Sequence, residues 1–256
     1  MTAPELPEAF NLADYFLFDR IAEGKGDKIA LRFGDRSWTY AEVADRSRAL
    51  ALYLVNARLC PEQRVYIVLP DLPPFAWSIF ATLAAGGVVT MGNNIAPVDD
   101  LRHVLDYVRA SVLITTTAVA SSLLPHYAQL PHLKLVLLSS DAATDEDPEA
   151  AIPAETVKHL DELIRETDQT RKHCETLVHA IARGRTLTVD IDLPLPRTRR
   201  DDPAIWLFTS GSTGKSKAAM HSHRDFAFNT EVFVGNASVT AATTSSRKVG
   251  IIMMRN

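Results

Sequence analysis

The sequence predicts an α/β fold of mostly parallel sheet flanked by helices, and three observations predict it. Short apolar runs of strand type alternate with stretches of helical spacing, the pattern of a parallel sheet covered on both faces. A capping box and a tight-turn signal sit where that alternation begins. Near the other end, a strand-like run breaks into a loop of glycine, serine, threonine and lysine.

Residues 10–24 have amphipathic helical spacing, with Leu12, Tyr15, Phe16 and Ile21 on one side. Lys28–Phe33 and Arg36–Thr39 read as a hairpin around Gly34-Asp35. Thr39-Tyr40-Ala41-Glu42 is a capping box: the Thr39 hydroxyl caps the following helix and Glu42 reaches back. That helix turns Val43, Leu50, Leu52 and Leu54 towards a core. Arg64–Leu69 is a buried-type strand.

Leu72 to Val98 holds no charged residue, which raises a membrane span. It also contains Pro73-Pro74, Gly86-Gly87, Gly92 and Pro97, so a buried helix over Phe75–Ala85 and a strand over Val88–Met91 fit better. A helix over Val98–Ala110 and strands over Ser111–Thr115 and Leu133–Leu138 follow. Asp141–Glu149 is an acidic surface connection. Glu155–Arg183 has helical spacing with Gly184 as its stop, and Pro194–Pro203 is an extended basic linker.

Composition narrows the function classes. The 256 residues suffice for one large domain or two small ones. A net charge of −4 argues against a dedicated nucleic-acid binder. Cys60 and Cys174 make neither a disulfide framework nor a zinc site, which suits a reducing, cytoplasmic compartment. The eight histidines show no metal spacing apart from His221-Ser-His223, so no metal ligand is assigned. The acidic, proline-bearing N-terminus is no signal peptide.

The stretch that carries chemistry is Ala204–His223. The strand-like Ala204-Ile205-Trp206-Leu207-Phe208 leads into Thr209-Ser210-Gly211-Ser212-Thr213-Gly214-Lys215-Ser216-Lys217. Gly211 and Gly214 let backbone N–H groups face an anion with no Cβ in the way. The hydroxyls add donors, and the lysines add charge suited to a polyphosphate. Gly214-Lys215-Ser216 looks like the end of a Walker A motif, but that motif needs glycine where Thr209 stands. A P-loop NTPase is therefore disfavoured.

The order of residues resembles the signature loop of the adenylate-forming (AMP-binding) superfamily, roughly [ST]-S-G-[ST]-T-G-x-P-K-G. Thr209, Ser210, Gly211, Ser212, Thr213, Gly214 and Lys217 match; Ser216 and Ala218 depart. The opening, from Asn11 through Trp38-Thr39-Tyr40, resembles benzoate-CoA-ligase-type members. The resemblance implies the large N-terminal domain of such enzymes, incomplete here, with residues 1–231 as its N-terminal part. It implies an ATP-dependent, AMP-forming acyl- or aryl-CoA ligase working through an acyl-adenylate. A carboxylic acid, ATP and coenzyme A would be its small-molecule partners and Mg2+ a cofactor. Lys217 would act on the leaving pyrophosphate and the other matched residues would hold the nucleotide phosphates. His223 would lie near the acid; a histidine satisfied within the strand-to-helix connection is the equal alternative. No assignment falls on Asn229 or Glu231.

The end of the chain departs from the family. From Val232 to Asn256 there is no acidic residue, whereas the first 231 residues carry all 31. This suggests a truncated or frameshifted product lacking the later motifs and the C-terminal domain; a genuine basic tail fits the same composition. Two readings stand: a ligase, and a non-catalytic fragment that retains a polyphosphate-binding loop.

Overall fold

The computed structural model describes residues 5–141, 147, 149–167, 172–190, 195–209 and 217–236. Most of the acidic Asp141–Glu149 run, Pro194, the stretch 210–216 and the tail from residue 237 lie outside the described residues.

The chain enters through Asn11 into a π turn, Asp14–Phe18, that runs into α1 (Asp19–Ala22). A π turn takes up an extra residue, so the inward face shifts along the sequence. This corrects the expected stripe. Leu12, Tyr15 and Leu17 are buried, Phe16 is half-buried, and Ile21 is 38% exposed.

The hairpin is as expected: β1 (Ile29–Phe33) pairs antiparallel with β2 (Arg36–Thr39), and Gly34 takes a positive φ of 56° at the turn. The capping box forms in full at the start of α2 (Tyr40–Asn56). The Glu42 N–H donates to the Thr39 hydroxyl at 3.2 Å, and the Thr39 N–H donates to the Glu42 carboxylate at 2.8 Å.

Next come β3 (Arg64–Val68) and α3 (Pro73–Ala84), whose two prolines occupy the first turn, where a missing N–H costs nothing. They are followed by β4 (Val88–Met91), α4 (Val98–Tyr107), β5 (Val112–Thr116), α5 (Thr117–Ser122), a 3-10 turn over Leu124–Gln129 and β6 (Leu135–Ser139). The uncharged 72–98 stretch is thus a helix and a strand. Among the described residues no helix is long and apolar enough to cross a membrane.

The expected single helical run over 155–183 is corrected. It divides into α6 (Ala154–Thr167), a strand β7 (His173–Thr176) and α7 (Leu177–Asp190). β7 pairs in parallel with β6, from Leu135↔His173 to Leu138↔Thr176. Only Cys174 and Glu175 of its four residues are buried, so helical spacing on either side masked it. Gly184 is not a stop; it lies inside α7, against the backbone of Ala49 in α2.

The chain closes with β8 (Pro203–Thr209), β9 (Lys217–Ser222) and α8 (His223–Asn236). Among the described residues the main sheet has seven strands in the order β7-β6-β5-β3-β4-β8-β9. All neighbours are parallel except the last pair. One core packs α2, α3 and α7 on one face through Leu50, Trp77, Leu177 and Ile181. A second core covers the other face with Leu105, Leu123, Tyr127, Leu160 and Ile164. The parallel strands are therefore apolar on both sides. Because α2 lies between α3 and α7, six successive residues, Ala49 to Leu54, are buried.

Gly184 gives a test in which two effects oppose each other. Helix propensity favours alanine over glycine by about 1 kcal/mol. A Cβ at position 184, however, would overlap the Ala49 carbonyl, and forced overpacking costs about 1–3 kcal/mol. We expect Gly184→Ala to lower stability in urea unfolding by up to about 2 kcal/mol. A stabilised variant would show that the α2–α7 approach is looser than described.

Candidate functional site

The candidate site is the β8–β9 connection, and local sequence explains its frame. Ala204 and Ile205 are buried and anchor β8 against β4 through Val89↔Ile205 and Thr90↔Trp206. Strand β9 returns antiparallel, with Phe208↔Ala218 and Thr209↔Lys217 as its last register pairs. Thr209 therefore ends one strand, Lys217 begins the next, and the glycine-rich stretch joins them. Of the nominated residues, Ser210, Gly211, Ser212, Thr213 and Gly214 lie outside the described residues. Thr209 and Lys217 are brought opposite each other, and the Lys217 side chain is exposed.

The exit of β9 is fixed by Asp225. Its carboxylate accepts from the Ser222 N–H at 2.8 Å and lies 3.8 Å from His221 Nδ1. His223, the first residue of α8, turns inward and is 1% exposed. Its Nδ1 accepts from the Leu12 N–H at 3.1 Å, so the proton of the neutral ring is on Nε2. That Nε2 has no hydrogen-bond partner among the described residues. Burial lowers the ring's pKa from its ordinary 6.5 to about 4.

His223 belongs to a wider tie. Asn11 donates from Nδ2 to the Leu83 carbonyl at 2.8 Å and to the Thr198 hydroxyl at 3.0 Å. Thr198 donates to the Phe10 carbonyl at 2.7 Å, and the Phe10 N–H donates to the Thr198 carbonyl. The N-terminal segment is thereby sewn to the stretch before β8 and to the start of α8. Tyr15 adds a hydrogen bond from its hydroxyl to the carboxylate of Glu231.

Two polar features escaped sequence reasoning. Glu175 is buried and accepts from the Tyr53 hydroxyl, with His179 Nδ1 at 2.9 Å and Arg183 Nη1 at 3.7 Å. Burial raises its carboxyl pKa, opposed by His179 and Arg183. Lys172 is buried, donates from Nζ to the Tyr127 carbonyl at 2.9 Å, and has its pKa lowered by burial. Neither belongs to a sequence motif; a buried charge flanking a strand hidden by its neighbours gives no periodic signal. Cys60 is an exposed free thiol, and Cys174 a buried one whose pKa burial raises to about 12. Among the described residues no group of three His, Cys, Asp or Glu could hold a metal ion.

Comparison with known proteins places this frame. The model of the family described as AMP-binding enzyme matches residues 18–250. The chain is 26% identical over 214 residues to a 4-hydroxybenzoate–CoA/benzoate–CoA ligase of Rhodopseudomonas palustris, covering 84% of this chain and 34% of that protein. It is 23% identical over 232 residues to a benzoate–CoA ligase of Thauera aromatica, covering 90% and 37%. The chain thus spans about a third of the length of these curated relatives. Among solved structures it resembles the anthranilate CoA ligase AuaEII in complex with anthranoyl-AMP, with a TM-score of 0.67 and 19% identity over 92% of this chain and 39% of that one. The A domain of a carboxylic acid reductase from Segniliparus rugosus gives a TM-score of 0.67 at 18% identity, over 85% and 36%. These two likenesses establish the fold: that of the N-terminal domain of adenylate-forming enzymes.

The buried histidine makes a pH-dependent contribution whose sign is fixed. Its folded pKa lies below its unfolded one, so between about 4 and 6.5 the unfolded chain binds more protons. Stability from this group is complete above pH 6.5 and is lost as pH falls towards 4, by about 3 kcal/mol in all. His223→Asn keeps an acceptor for the Leu12 N–H and removes the titration. We expect the gap in unfolding free energy between parent and variant to shift in the variant's favour across this window. A pH-independent gap would contradict a buried, neutral His223.

Proposed function

The chain belongs to the AMP-binding enzyme family, and on that premise we propose that it supplies the polyphosphate-binding part of an ATP-dependent, AMP-forming carboxylic acid–CoA ligase. An aryl acid of the benzoate class is the favoured substrate, and the benzoate–CoA ligases among the relatives support it. In the proposed reaction a carboxylate oxygen attacks the α-phosphorus of ATP. The bond to the β,γ-pyrophosphate breaks, giving an acyl-adenylate. The thiol of coenzyme A then displaces AMP to give the thioester.

The observation that carries the reading is the pair of antiparallel strand ends, Thr209 opposite Lys217, with a matched Gly/Ser/Thr sequence between them. Antiparallel strand ends hold a connection at both sides, which limits the freedom its N–H groups lose on meeting phosphate. Ser210, Gly211, Ser212, Thr213 and Gly214 would present N–H and hydroxyl donors to the β- and γ-phosphates. The Lys217 ammonium would offset charge that grows on the leaving pyrophosphate. Mg2+ would arrive with the nucleotide, and no step here is routed through it. His223 contributes by fixing the β9–α8 corner through Leu12; a place near the acid is what the resemblance alone implies for it. Residues 1–231 form the N-terminal part of the AMP-binding domain in this proposal, and 232–256 an atypical segment.

The second reading is a chain that binds polyphosphate without catalysis. An acyl-adenylate needs a closed, water-poor site to escape hydrolysis. Calorimetric titration with tripolyphosphate and ATP, together with ATP–pyrophosphate exchange in the presence of benzoate, tests both. We expect weak, salt-sensitive binding that Lys217→Ala reduces by roughly threefold to tenfold. We expect no benzoate-dependent exchange from the 256 residues alone. Binding indifferent to Lys217→Ala would remove the phosphate assignment. Robust benzoate-dependent exchange would reject the second reading and place a complete adenylation site within the chain.

A further inference from the structure

We propose that two copies of this chain pair through β9, edge to edge and antiparallel about a two-fold axis, so that their two main sheets become one. The proposal does not rest on the polyphosphate reading.

The two edges of the main sheet differ in how they meet an approaching strand. At one edge β7 is guarded, because the Asp161 carboxylate of α6 accepts from the Cys174 N–H at 2.8 Å and takes that donor out of play. At the other edge β9 is the outermost strand among the described residues, with β8 on its inner side. It runs from Lys217 to Ser222 without a proline, and the register shift in this strand pair lies between Pro203 and Ile205 of β8. Its middle, Ala218-Ala219-Met220, carries no charge, and Met220 is 62% exposed. Proline, a bulge or an inward charge is what keeps an edge strand from pairing with another chain, and the middle of β9 has none of them.

The strand's own chemistry selects a second copy as the occupant. A two-fold axis normal to the sheet leaves each copy's faces where they were. Side chains directly opposite each other in an antiparallel pair share a face. The axis must therefore pass through one residue and its own counterpart. Centred on Ala219, the pairing sets Ala218 against Met220 and Lys217 against His221. The large exposed side chain then meets a small one, twice. Centred one residue later, methionine would face methionine.

Charge selects the same direction. Lys217 begins β9, and the Asp225 carboxylate lies at its other end, 3.8 Å from His221 Nδ1. Antiparallel pairing brings each lysine to the acidic end of the other copy, whereas parallel pairing would set lysine beside lysine. One short strand on each side buries less than the roughly 1,200–2,000 Å² of a stable interface, so the dimer is weak and reversible. Because each copy spends its single β9 edge, the assembly closes at two.

The test is sedimentation equilibrium of the full 256-residue chain. We expect a monomer–dimer equilibrium with a Kd on the order of 100 µM. Ala219 is exposed, so Ala219→Lys keeps the fold, checked by circular dichroism. It places two lysines face to face at the axis and should weaken the dimer by about tenfold or more. Disulfide trapping reads the register. Cys60 is an exposed thiol, so the parent here carries Cys60→Ser. Directly opposed residues stand about 4.5–5.5 Å apart at Cα, within disulfide reach. Ala219→Cys should therefore give a covalent dimer under mild oxidation, and Met220→Cys, whose counterpart is Ala218, should not. The proposal fails if the chain stays monomeric throughout or keeps growing past two copies. It also fails if the dimer survives Ala219→Lys unweakened, or if Met220→Cys cross-links as readily as Ala219→Cys.

Discussion

The structure depends on one side chain at the N-terminus, Asn11. Its amide donates to two partners at once, the Leu83 carbonyl at the end of α3 and the Thr198 hydroxyl before β8. Its carbonyl oxygen accepts from the Ala13 N–H at 2.8 Å and so starts the first helix. A buried amide has few ways to satisfy all its groups, and this one uses both donor and acceptor ends within the protein. With the Leu12–His223 hydrogen bond beside it, the N-terminal segment becomes the brace for the strand pair that carries the glycine-rich connection. The β8–β9 strand ends are thus positioned by residues far from them in sequence.

The sheet was legible where physics gives a strong periodic signal. β3, β5 and β6 are dense apolar runs because both faces are covered, and the capping box at Thr39 specified where α2 begins. β7 was not legible, since its inward pair is Cys174 and Glu175, a thiol and a carboxylate that no hydrophobic pattern registers. The π turn at 14–18 defeated a 3.6-residue count by design of its geometry. Gly184 was misread because glycine marks either the end of a helix or a close approach, and only the neighbour, Ala49, decides which. For the site, the order of residues from Thr209 to Lys217 carried the family resemblance, while the register Thr209↔Lys217 came only from the fold. His223 had two equal readings in sequence; its contact with Leu12, 211 residues away, lies beyond any local pattern.

The two ends of the main sheet have different characters. Towards β9 the surface is open, with Met220 exposed on the outer strand and a lysine at its start. Towards β7 a cavity opens between α3 and α7, with Leu138, Leu177 and Ile181 in its wall. The same helix α3 serves both, since its last turn receives Asn11 and its first two turns wall the cavity.

The long reach of Asn11 has a consequence for biosynthesis. Its partner Thr198 lies 187 residues further along the chain. At a ribosomal rate of about 5–20 residues per second, roughly 10–40 s separate the two residues' emergence. Asn11 therefore waits for Thr198 before both of its donor hydrogen bonds can close. Phe10 meets its hydrogen-bond partner only once Thr198 has been made, and Leu12 only once His223 has, so this edge of the fold closes after the parallel strands between them have been synthesised.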